Sequence, residues 1–264
     1  MSLDLADDVR DAIAGVAASD LLLVALDFDG TLSPLEDEPM DARMLPAARD
    51  AVNAVVAAPD TVVAFVSGRS LVDLRVIAEH DDASRVLLAG SHGAEFWIPG
   101  EGLQSHGEDD TDVALRDAMR SHAEAATAQL DGVWIEPKTF GFGVHTRRAT
   151  AEAAAEANRL ADEIVAAEAP HWRRRTGHNI VEFAFRHEGK DSAIAELRER
   201  VGATAVLFAG DDVTDEDALA SLGADDLGVR VGDGPTAAAV RVPDIAALAD
   251  LLTLLAAERT RLRG

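Results

Sequence analysis

A run of six apolar residues at positions 21–26 constrains the fold more than any other feature of the chain. The run ends abruptly at Asp27, and Asp29 follows two residues later. An unbroken apolar run of this length, without polar alternation, is typical of a strand that is buried on both faces of a parallel sheet. We therefore expect a buried strand whose carboxyl end presents two carboxylates on one side of the chain.

Two later apolar runs, residues 62–66 and 205–209, also end in polar clusters. The residues that follow are Ser67, Gly68 and Arg69 in the first case and Asp211, Asp212 and Asp215 in the second. In an open parallel sheet, ligands bind outside the carboxyl ends of the strands. The three clusters are therefore expected to meet in one crevice, although they are far apart in the sequence.

The order of the patterns along the chain predicts an α/β fold with an inserted domain. After about residue 101, two consecutive helix-strand-strand units predict a four-stranded, mostly antiparallel sheet with helices on one face. After Lys190 the first pattern returns, and it ends in a helix from Asp244. We predict a doubly wound, Rossmann-like parallel sheet formed by residues 1–105 and 187–264, with an αββαββ domain inserted over residues 106–186.

Charge and composition exclude several classes of function. The chain has 24 basic and 48 acidic residues, and its net charge of −24 disfavours nucleic acid and anionic membranes as partners. It has no cysteine, which excludes disulfides, cysteine-zinc sites and cysteine nucleophiles. The first residues lack the pattern of a signal peptide, and no apolar run approaches the roughly 20 residues of a membrane span. We expect a globular, cytoplasmic protein.

The residues at the end of the first strand suit phosphoryl transfer. Asp27 directly follows the strand, and a carboxylate can attack phosphorus to give an acyl phosphate. Asp29 lies on the same side of an extended chain, so it can protonate the leaving oxygen and then activate water. Gly30 permits a tight exit from the strand. Thr31, Ser67 and nearby backbone N–H groups can hold the phosphoryl oxygens.

Such a site needs positive charge, because two carboxylates beside a phosphate repel it. Asp211 supplies a further carboxylate, and a site of few carboxylates with a phosphate oxygen and waters suits Mg²⁺. Lys190 adds a compact positive charge that can stabilise negative charge as it develops.

Each cluster also has an ordinary structural interpretation. An Asp-x-Asp-Gly sequence can form a turn or a weak calcium loop, and Ser-Gly-Arg can be a strand-to-helix turn with a helix cap. The acidic stretch at 211–217 can be a helix start, and Lys190 can be an ordinary surface lysine. The occurrence of all these features in this order favours a catalytic site.

At these residues the chain resembles the haloacid dehalogenase-like phosphatase superfamily. The Asp-x-Asp-Gly-Thr sequence from Asp27, then Ser67, Lys190 and the acidic stretch with Asp211 match its four motifs in order. The resemblance implies that Asp27 is the nucleophile and Asp29 the general acid and base. It also implies that Mg²⁺ is held by the Asp27 carboxylate, the Asp29 backbone carbonyl and Asp211. The inserted αββαββ domain is then a cap of the C2B type.

Within the superfamily the chain resembles the trehalose-6-phosphate phosphatases. The stretches that carry the resemblance are residues 26–39, 66–69, 90–95, 135–138, 145–147 and 210–217. The substrate-binding residues that it implies are Gly68, Arg69, His92, Glu95, Glu136, Lys138, His145, Arg147, Glu182, Asp212 and Asp215. The chain departs from the family in two places. Phe183, Ala184 and Phe185 follow Glu182 where the family commonly has Glu-x-Arg-Pro, and Asp191 follows Lys190 where glycine is usual.

The inserted domain also has residues suited to a sugar by their own chemistry. Glu136 with Lys138, and His145 with Arg147, alternate along predicted strands and so are expected to share faces. A solvated strand face with cross-strand ion pairs has the same pattern. Residues 172–175, Trp-Arg-Arg-Arg, fit a strand edge or a salt-bridged face. The eight histidines lack metal-ligand spacing, so no zinc site is predicted.

The expected function is Mg²⁺-dependent hydrolysis of trehalose 6-phosphate, with the cap closing over the sugar. Two alternatives stay open: a phosphatase of a sucrose, glycosylglycerate or hexose phosphate, and a catalytically silent sugar-phosphate sensor. A structural protein would leave the three polar clusters unexplained. The expected partner is a small sugar phosphate, and the expected state is a monomer. Because 26 residues precede the first motif, no fused glycosyltransferase domain is expected.

Overall fold

A computed structural model describes residues 7–105, 110–177 and 179–264 of the chain. Contacts between residues divide the chain into two compact units. The first unit comprises Met1–Ser105 and Glu188–Gly264, and the second comprises His106–His187. Among the described residues, no helix combines the length and the apolar character that crossing a membrane requires.

The regular elements are numbered here in chain order. The α-helices are α1 (Asp7–Ala17), α2 (Pro46–Ala57), α3 (Leu71–Ile77), α4 (Asp110–Thr127), α5 (Ala151–Glu168), α6 (Lys190–Val201), α7 (Glu216–Ser221) and α8 (Ile245–Arg263). The strands are β1 (Leu22–Leu26), β2 (Thr61–Val66), β3 (Leu87–Gly90), β4 (Glu95–Ile98), β5 (Gly102–Ser105), β6 (Trp134–Lys138), β7 (Gly141–His145), β8 (Arg173–Gly177), β9 (Ile180–Ala184), β10 (Ala205–Gly210), β11 (Leu227–Val231) and β12 (Val240–Val242).

The first unit contains an eight-stranded sheet in the order β12-β11-β10-β1-β2-β3-β4-β5. The six strands from β12 to β3 are parallel, which confirms the predicted α/β class. From β1, the chain order runs outward in one direction through β2 and β3, and the later strands β10 to β12 run outward in the other. The strand order therefore reverses between β1 and β10, where α/β sheets form their ligand crevice.

The outer edge of this sheet differs from the prediction. Strands β4 and β5 pair antiparallel, β4 with β3 and β5 with β4, so the sheet is mixed rather than wholly parallel. Only residues 99–101 join β4 to β5. A connection this short allows a hairpin, whereas a parallel pair needs a crossover of about a dozen residues or more. Both Gly100 and Gly102 have positive φ, at 82° and 80°, which suits a tight turn.

The central strand β1 is buried on both faces, as its apolar run predicts. Leu22, Val24 and Leu26 belong to one hydrophobic cluster with residues of α1, α2 and α8. Leu23 and Ala25 belong to a second cluster on the opposite face, with residues of α6. Because side chains alternate along a strand, an unbroken apolar run supplies both clusters at once.

Several helices begin at residues that the sequence marks. Pro46 occupies the first turn of α2, where its missing N–H costs no hydrogen bond. Ser70 caps α3, since its hydroxyl accepts a hydrogen bond of 3.1 Å from the Asp73 backbone N–H. Asp244 caps α8 in the same way through the Ala247 backbone N–H, at 2.9 Å. Capping of this kind stabilises a helix by about 1 kcal/mol.

A buried arginine joins the last helix to the amino ends of two central strands. Arg259 in α8 is fully buried. Its guanidinium donates hydrogen bonds to the Thr61 hydroxyl and to the backbone carbonyls of Ala17, Ser19, Pro59 and Asp60. Five acceptors satisfy the fork of donors, which makes the burial of this charged group tolerable. The contacts fix the chain just before β1 and β2.

The second unit is a four-stranded antiparallel sheet in the order β6-β7-β9-β8, with helices α4 and α5. Phe142, Val144, Val181 and Phe183 on one sheet face are buried. Helices α4 and α5 pack against each other and against this sheet. Strand β8 lies at the edge, and its Arg174 pairs with Asp162 at 2.6 Å. The predicted edge position of the arginine run is therefore confirmed.

Candidate active site

Asp27 extends the central strand by one residue. Its backbone N–H donates to the Ala209 carbonyl of β10 at 2.9 Å, which continues the parallel ladder beyond Leu26. The Asp27 side chain is buried. The Asp27 carboxylate is therefore buried at the end of β1, where the strand order reverses.

Lys190 is the charged partner of this carboxylate. It is the first residue of α6, and it is only 4% exposed. Its Nζ donates hydrogen bonds of 2.6 Å to Asp27 Oδ1 and of 2.6 Å to Asp215 Oδ1. The structure therefore excludes the alternative that Lys190 is an ordinary surface lysine.

Asp215 holds two parts of the site in place. It is fully buried, and its Oδ1 accepts from Lys190. Its Oδ2 accepts from the backbone N–H groups of Asp211, at 3.1 Å, and Asp212, at 2.9 Å. These contacts orient the lysine and the turn that carries Asp211. The substrate-binding role that the resemblance implies for Asp215 stays a prediction.

Asp211 and Asp27 approach each other through Thr31. The Thr31 hydroxyl lies 3.3 Å from Asp27 Oδ2 and 3.2 Å from Asp211 Oδ1. One oxygen from each of Asp27, Asp211 and Asp215 lies within 4.8 Å of the others. Three carboxylates from two distant parts of the sequence thus form one cluster.

Two glycines make this close approach possible. Gly30 has a φ of 80°, and a Cβ there would lie 2.1 Å from Asp211 Oδ2. A Cβ at Gly210 would lie 2.3 Å from Asp215 Cγ. Any side chain at either position would displace a carboxylate of the cluster, so packing requires both glycines, and the positive φ of Gly30 requires it a second time.

Asp29 is not part of the carboxylate cluster, because its side chain pairs with Arg69. Arg69 Nε lies 2.6 Å from Asp29 Oδ2, and Nη2 lies 2.6 Å from Oδ1. Both side chains are mostly buried, at 17% and 25% exposed. The second and first predicted clusters are therefore joined by a bidentate ion pair, which fixes the plane of the Asp29 carboxylate.

The loop after β2 is packed against the loop after β3. Ser67 is buried, and its hydroxyl accepts a hydrogen bond of 3.1 Å from the Arg69 backbone N–H. The His92 backbone N–H donates to the Ser67 carbonyl at 2.9 Å. A Cβ on Gly68 would lie 2.6 Å from His92 Nε2, so this glycine leaves room for the imidazole. Ser67, Gly68 and His92 thus form one packed group.

Two other predicted substrate-binding residues make contacts that support the loops. Glu95 is buried, and its Oε2 accepts from the Leu71 backbone N–H at 3.1 Å and from the Ser91 hydroxyl at 2.6 Å. It therefore ties β4 to the first turn of α3. Asp212 accepts a hydrogen bond of 2.7 Å from the Val213 backbone N–H at the start of a short 3₁₀ turn.

Burial dominates the electrostatics of the carboxylate cluster. Burial raises the pKa of Asp27 well above its usual range, and Asp215 and Asp211 add to the rise against the opposing charge of Lys190. Burial and the charge of Asp215 raise the pKa of Asp211 to about 6. Burial alone would lower the pKa of Lys190, but the charges of Asp215 and Asp27 outweigh it and raise that pKa. Lys190 therefore stays charged.

The cluster fits a divalent cation. Lys190 brings one positive charge to three carboxylates, and burial penalises the negative charge that remains. Asp27 and Asp211 offer oxygen donors, which Mg²⁺ prefers in proteins. A bound cation would favour the ionised form of both groups. It would thereby offset the penalty that burial places on their negative charge.

The second unit carries a separate polar group on one face of its sheet. Lys138 Nζ lies 2.9 Å from Glu136 Oε2 and 3.4 Å from Glu182 Oε1. His145 Nε2 lies 2.5 Å from Glu136 Oε2. A Cβ on Gly143 would lie 3.6 Å from Lys138 Cε, so the lysine chain crosses this glycine to reach Glu182. The contact between Lys138 and Glu136 confirms that they share a strand face. The cross-strand pairs of the alternative interpretation are also present, although their side chains are only 16–33% exposed.

The charges of this polar group support one another. Burial lowers the pKa of Lys138, but Glu182 and Glu136 outweigh it and raise that pKa above its usual range. Burial raises the pKa of Glu136, but its hydrogen bond with His145 and the charge of Lys138 lower it overall. Both groups are therefore held in their charged forms.

Arg147 is placed differently from the prediction. Strand β7 ends at His145, and Arg147 is an exposed residue of the following turn. The Ala149 backbone N–H donates to the Thr146 carbonyl at 3.0 Å, which closes this turn. The expectation that Arg147 and His145 share a strand face is wrong, because the strand ends between them.

A family model described as trehalose-phosphatase matches residues 25–238, which include the carboxylate cluster and the polar group of the second unit. The chain belongs to the trehalose-phosphatase family. This finding confirms the resemblance that the motifs predicted. It covers the sequence from the apolar strand β1 to beyond β11.

Two proteins of Mycobacterium tuberculosis are similar to this family member. One, described as a trehalose-phosphate phosphatase, is 30% identical over 266 residues, which cover 93% of this chain and 65% of that protein. The other, described as an uncharacterized glycosyl hydrolase, is 32% identical over 245 residues, which cover 83% of this chain and 17% of that protein. The chain thus spans less than two thirds of the length of either relative.

Two solved structures share the fold. The C-terminal domain of a Candida albicans trehalose-6-phosphate phosphatase has a TM-score of 0.80 at 19% identity, covering 94% of this chain and 96% of that one. A haloacid dehalogenase-like hydrolase from Bacillus subtilis has a TM-score of 0.60 at 15% identity, covering 88% and 98%. These likenesses confirm the predicted fold class.

For this trehalose-phosphatase family member, the roles of the individual site residues stay predictions. The structure brings Asp27, Thr31, Lys190, Asp211 and Asp215 together. It joins Asp29 to Arg69 by an ion pair. Trp134, which was not among the predicted site residues, stacks on His145 with ring centres 4.5 Å apart. Its signal was present, because Trp134 alternates with Glu136 and Lys138 and so shares their strand face.

Proposed function

We propose that this chain hydrolyses trehalose 6-phosphate to trehalose and phosphate through an aspartyl-phosphate intermediate. The observation that carries the proposal is the buried pair of Asp27 and Lys190, 2.6 Å apart, at the reversal point of the sheet. A carboxylate held beside a permanent positive charge in a buried crevice is suited to nucleophilic attack on a phosphate ester. Membership of the trehalose-phosphatase family supports the choice of substrate.

The reaction has two balanced steps. Asp29 first takes a proton from solvent as its ion pair with Arg69 opens. Asp27 then attacks phosphorus, an oxygen–phosphorus bond forms, and the bond from phosphorus to the sugar 6-oxygen breaks while Asp29 gives that oxygen its proton. Water then attacks phosphorus and gives a proton back to Asp29, and the bond to Asp27 breaks to release inorganic phosphate. Lys190 stays protonated throughout and stabilises the negative charge on Asp27 and the phosphoryl oxygens.

Mg²⁺ is the cofactor we propose for this site, held by Asp27, Asp211 and the backbone carbonyl of Asp29. When bound, it would neutralise phosphoryl oxygens and keep both carboxylates ionised. Thr31 and Ser67 supply hydroxyl groups for the phosphoryl oxygens. Positioning and charge neutralisation are the main requirements of phosphoryl transfer, and these residues meet both.

We propose that the second unit recognises the sugar. Carboxylates accept hydrogen bonds from hydroxyl groups, and an ammonium group donates to their oxygens. Glu136, Lys138 and Glu182 present both kinds of group within one connected set. This unit is then the cap, with the role that the sequence analysis expected. A cytoplasmic location and a monomeric state also stay predictions.

The deciding experiment compares sugars with and without metal. Phosphate release is measured from trehalose 6-phosphate, sucrose 6-phosphate and glucose 6-phosphate, each with Mg²⁺ and with EDTA, and with Asp27→Asn as the control. Fast, Mg²⁺-dependent release from trehalose 6-phosphate supports the proposal. Faster phosphate release from another sugar phosphate would support the proposed mechanism and reject trehalose 6-phosphate as the preferred substrate. No release from any sugar would favour the silent sensor.

A further inference from the structure

One large aromatic side chain lies on the polar face of the second unit. Trp134 is 37% exposed, although it is the first residue of β6 in a hydrophobic sheet-and-helix unit. The strand alternation places it on the same face as Glu136 and Lys138. Trp134 is therefore an exposed aromatic side chain among charged ones.

The indole of Trp134 lies flat against the imidazole of His145. The ring centres are 4.5 Å apart, and the planes differ by 5°. The two residues are directly opposite in the pairing of β6 with β7. The Arg148 guanidinium lies 5.6 Å from the centre of the indole, which adds a cation–π contact. The stack fixes the plane of the imidazole.

The imidazole of His145 in turn contacts the carboxylate of Glu136. Glu136 is two residues after Trp134 on the same strand face, and His145 Nε2 lies 2.5 Å from its Oε2. Lys138 Nζ approaches the same oxygen, at 2.9 Å. Both contacts therefore fall on Oε2. Because these contacts fall on Oε2, Oε1 is the oxygen that can accept a hydrogen bond from a hydroxyl.

We propose that Trp134 is a positioning residue for sugar recognition, which acts through His145 to hold Glu136 with one oxygen turned to the substrate. The inference rests on the proposed function of the second unit. Without the indole, the imidazole can rotate and the Glu136 carboxylate loses a fixed partner. The loss affects binding of the sugar and leaves the phosphoryl chemistry of Asp27 unchanged.

The test separates sugar recognition from phosphate chemistry by using two substrates. In Trp134→Ala, the KM for trehalose 6-phosphate should rise about tenfold, which corresponds to the loss of one aromatic stack. The kcat should stay within about twofold, because the missing contact acts equally in ground and transition states. For p-nitrophenyl phosphate, which has no sugar, both constants should be unchanged. Trp134→Phe should restore most of the KM, since phenyl also stacks.

The matched control is Trp97, a tryptophan in the first unit that also has a cation–π contact with an arginine. Arg75 lies 3.9 Å from the ring centre of Trp97 in the first unit, and Trp97→Ala should leave the KM for trehalose 6-phosphate unchanged. An unchanged KM in Trp134→Ala, or an equal loss on p-nitrophenyl phosphate, would overturn the inference. So would the absence of an upfield ring-current shift of the His145 ring protons relative to Trp134→Ala. Failure of wild type to release phosphate from any substrate would instead reject the proposed function.

Discussion

Arg69 holds both carboxylate oxygens of Asp29, with Nε and Nη2 each 2.6 Å from their acceptors. Asp29 follows the first strand and Arg69 follows the second, so the ion pair joins the ends of two neighbouring strands. In our proposed mechanism Asp29 gives a proton to the leaving oxygen. One of its two hydrogen bonds must therefore open during the reaction, and Arg69 becomes available for a phosphoryl oxygen.

Arg69→Lys should lower kcat for trehalose 6-phosphate roughly tenfold, because lysine provides a point charge that cannot bind two oxygens at once. Steady-state kinetics with Mg²⁺ measure this. The control is Arg49→Lys, which changes an arginine paired with Glu79 on the surface and should leave kcat unaltered. Equal rates for Arg69→Lys and wild type would show that the bidentate pair has no part in turnover.

Lys190→Gln should destabilise the metal-free protein by about 3 kcal/mol, because it leaves buried carboxylates without their positive partner. Urea unfolding in EDTA at neutral pH measures this. Adding Asp27→Asn to Lys190→Gln should restore part of the loss, since one buried negative charge is removed. Purely additive effects in this double-mutant cycle would contradict the coupling that the 2.6 Å contact implies.

Asp211→Asn should raise the Tm of the metal-free protein at pH 7. The pKa of Asp211 rises from 3.8 to about 6 on folding, so the folded state binds the proton more tightly. The associated stability is present at low pH and is lost as the pH rises through that window. The advantage of Asp211→Asn should therefore shrink as the pH falls from 6 to 3.8.

Mg²⁺ binding should reverse the relative stability of the two proteins, so that wild type has a higher Tm than Asp211→Asn at pH 7. Saturating Mg²⁺ should raise the Tm of wild type, because the ion binds the folded state, and should have little effect on Asp211→Asn. Thermal scans with Mg²⁺ and with EDTA at pH 7 compare the two proteins. Equal stabilisation of both by Mg²⁺ would remove Asp211 from the proposed metal ligands.

Arg259→Met should destabilise the protein by about 3 kcal/mol, because five acceptors, in buried or partly buried contacts, lose their donors. Below the unfolding transition, kcat should be unchanged, since these contacts lie at the amino ends of the strands. Arg263→Met is the control, because its ion pair is with Asp20, which is largely exposed, and it should cost less than about 1 kcal/mol. A large loss of kcat in Arg259→Met at low temperature would connect this buried contact to catalysis.

The parts of this protein that follow from local patterns were predictable. The run at 21–26 gave a strand buried on both faces, because side-chain alternation demands apolar residues on each side. Ser70 and Pro46 marked the starts of helices through rules that act within a single turn. The pairing of β4 with β5 was missed because short strands at a sheet edge are weakly patterned.

The sequence alone determined the α/β class, the family and the residues that meet at the carboxyl ends of the strands. Only the tertiary structure decided which of them touch. Asp215 accepts a hydrogen bond from Lys190, Asp29 pairs with Arg69, and Trp134 stacks on His145. Hydrophobic periodicity and motifs predict which face of each helix or strand is buried, because this burial depends on the spacing of apolar residues within the segment. Contacts between polar side chains depend on distances between segments that are far apart in sequence, and these exist only when the sheets have formed.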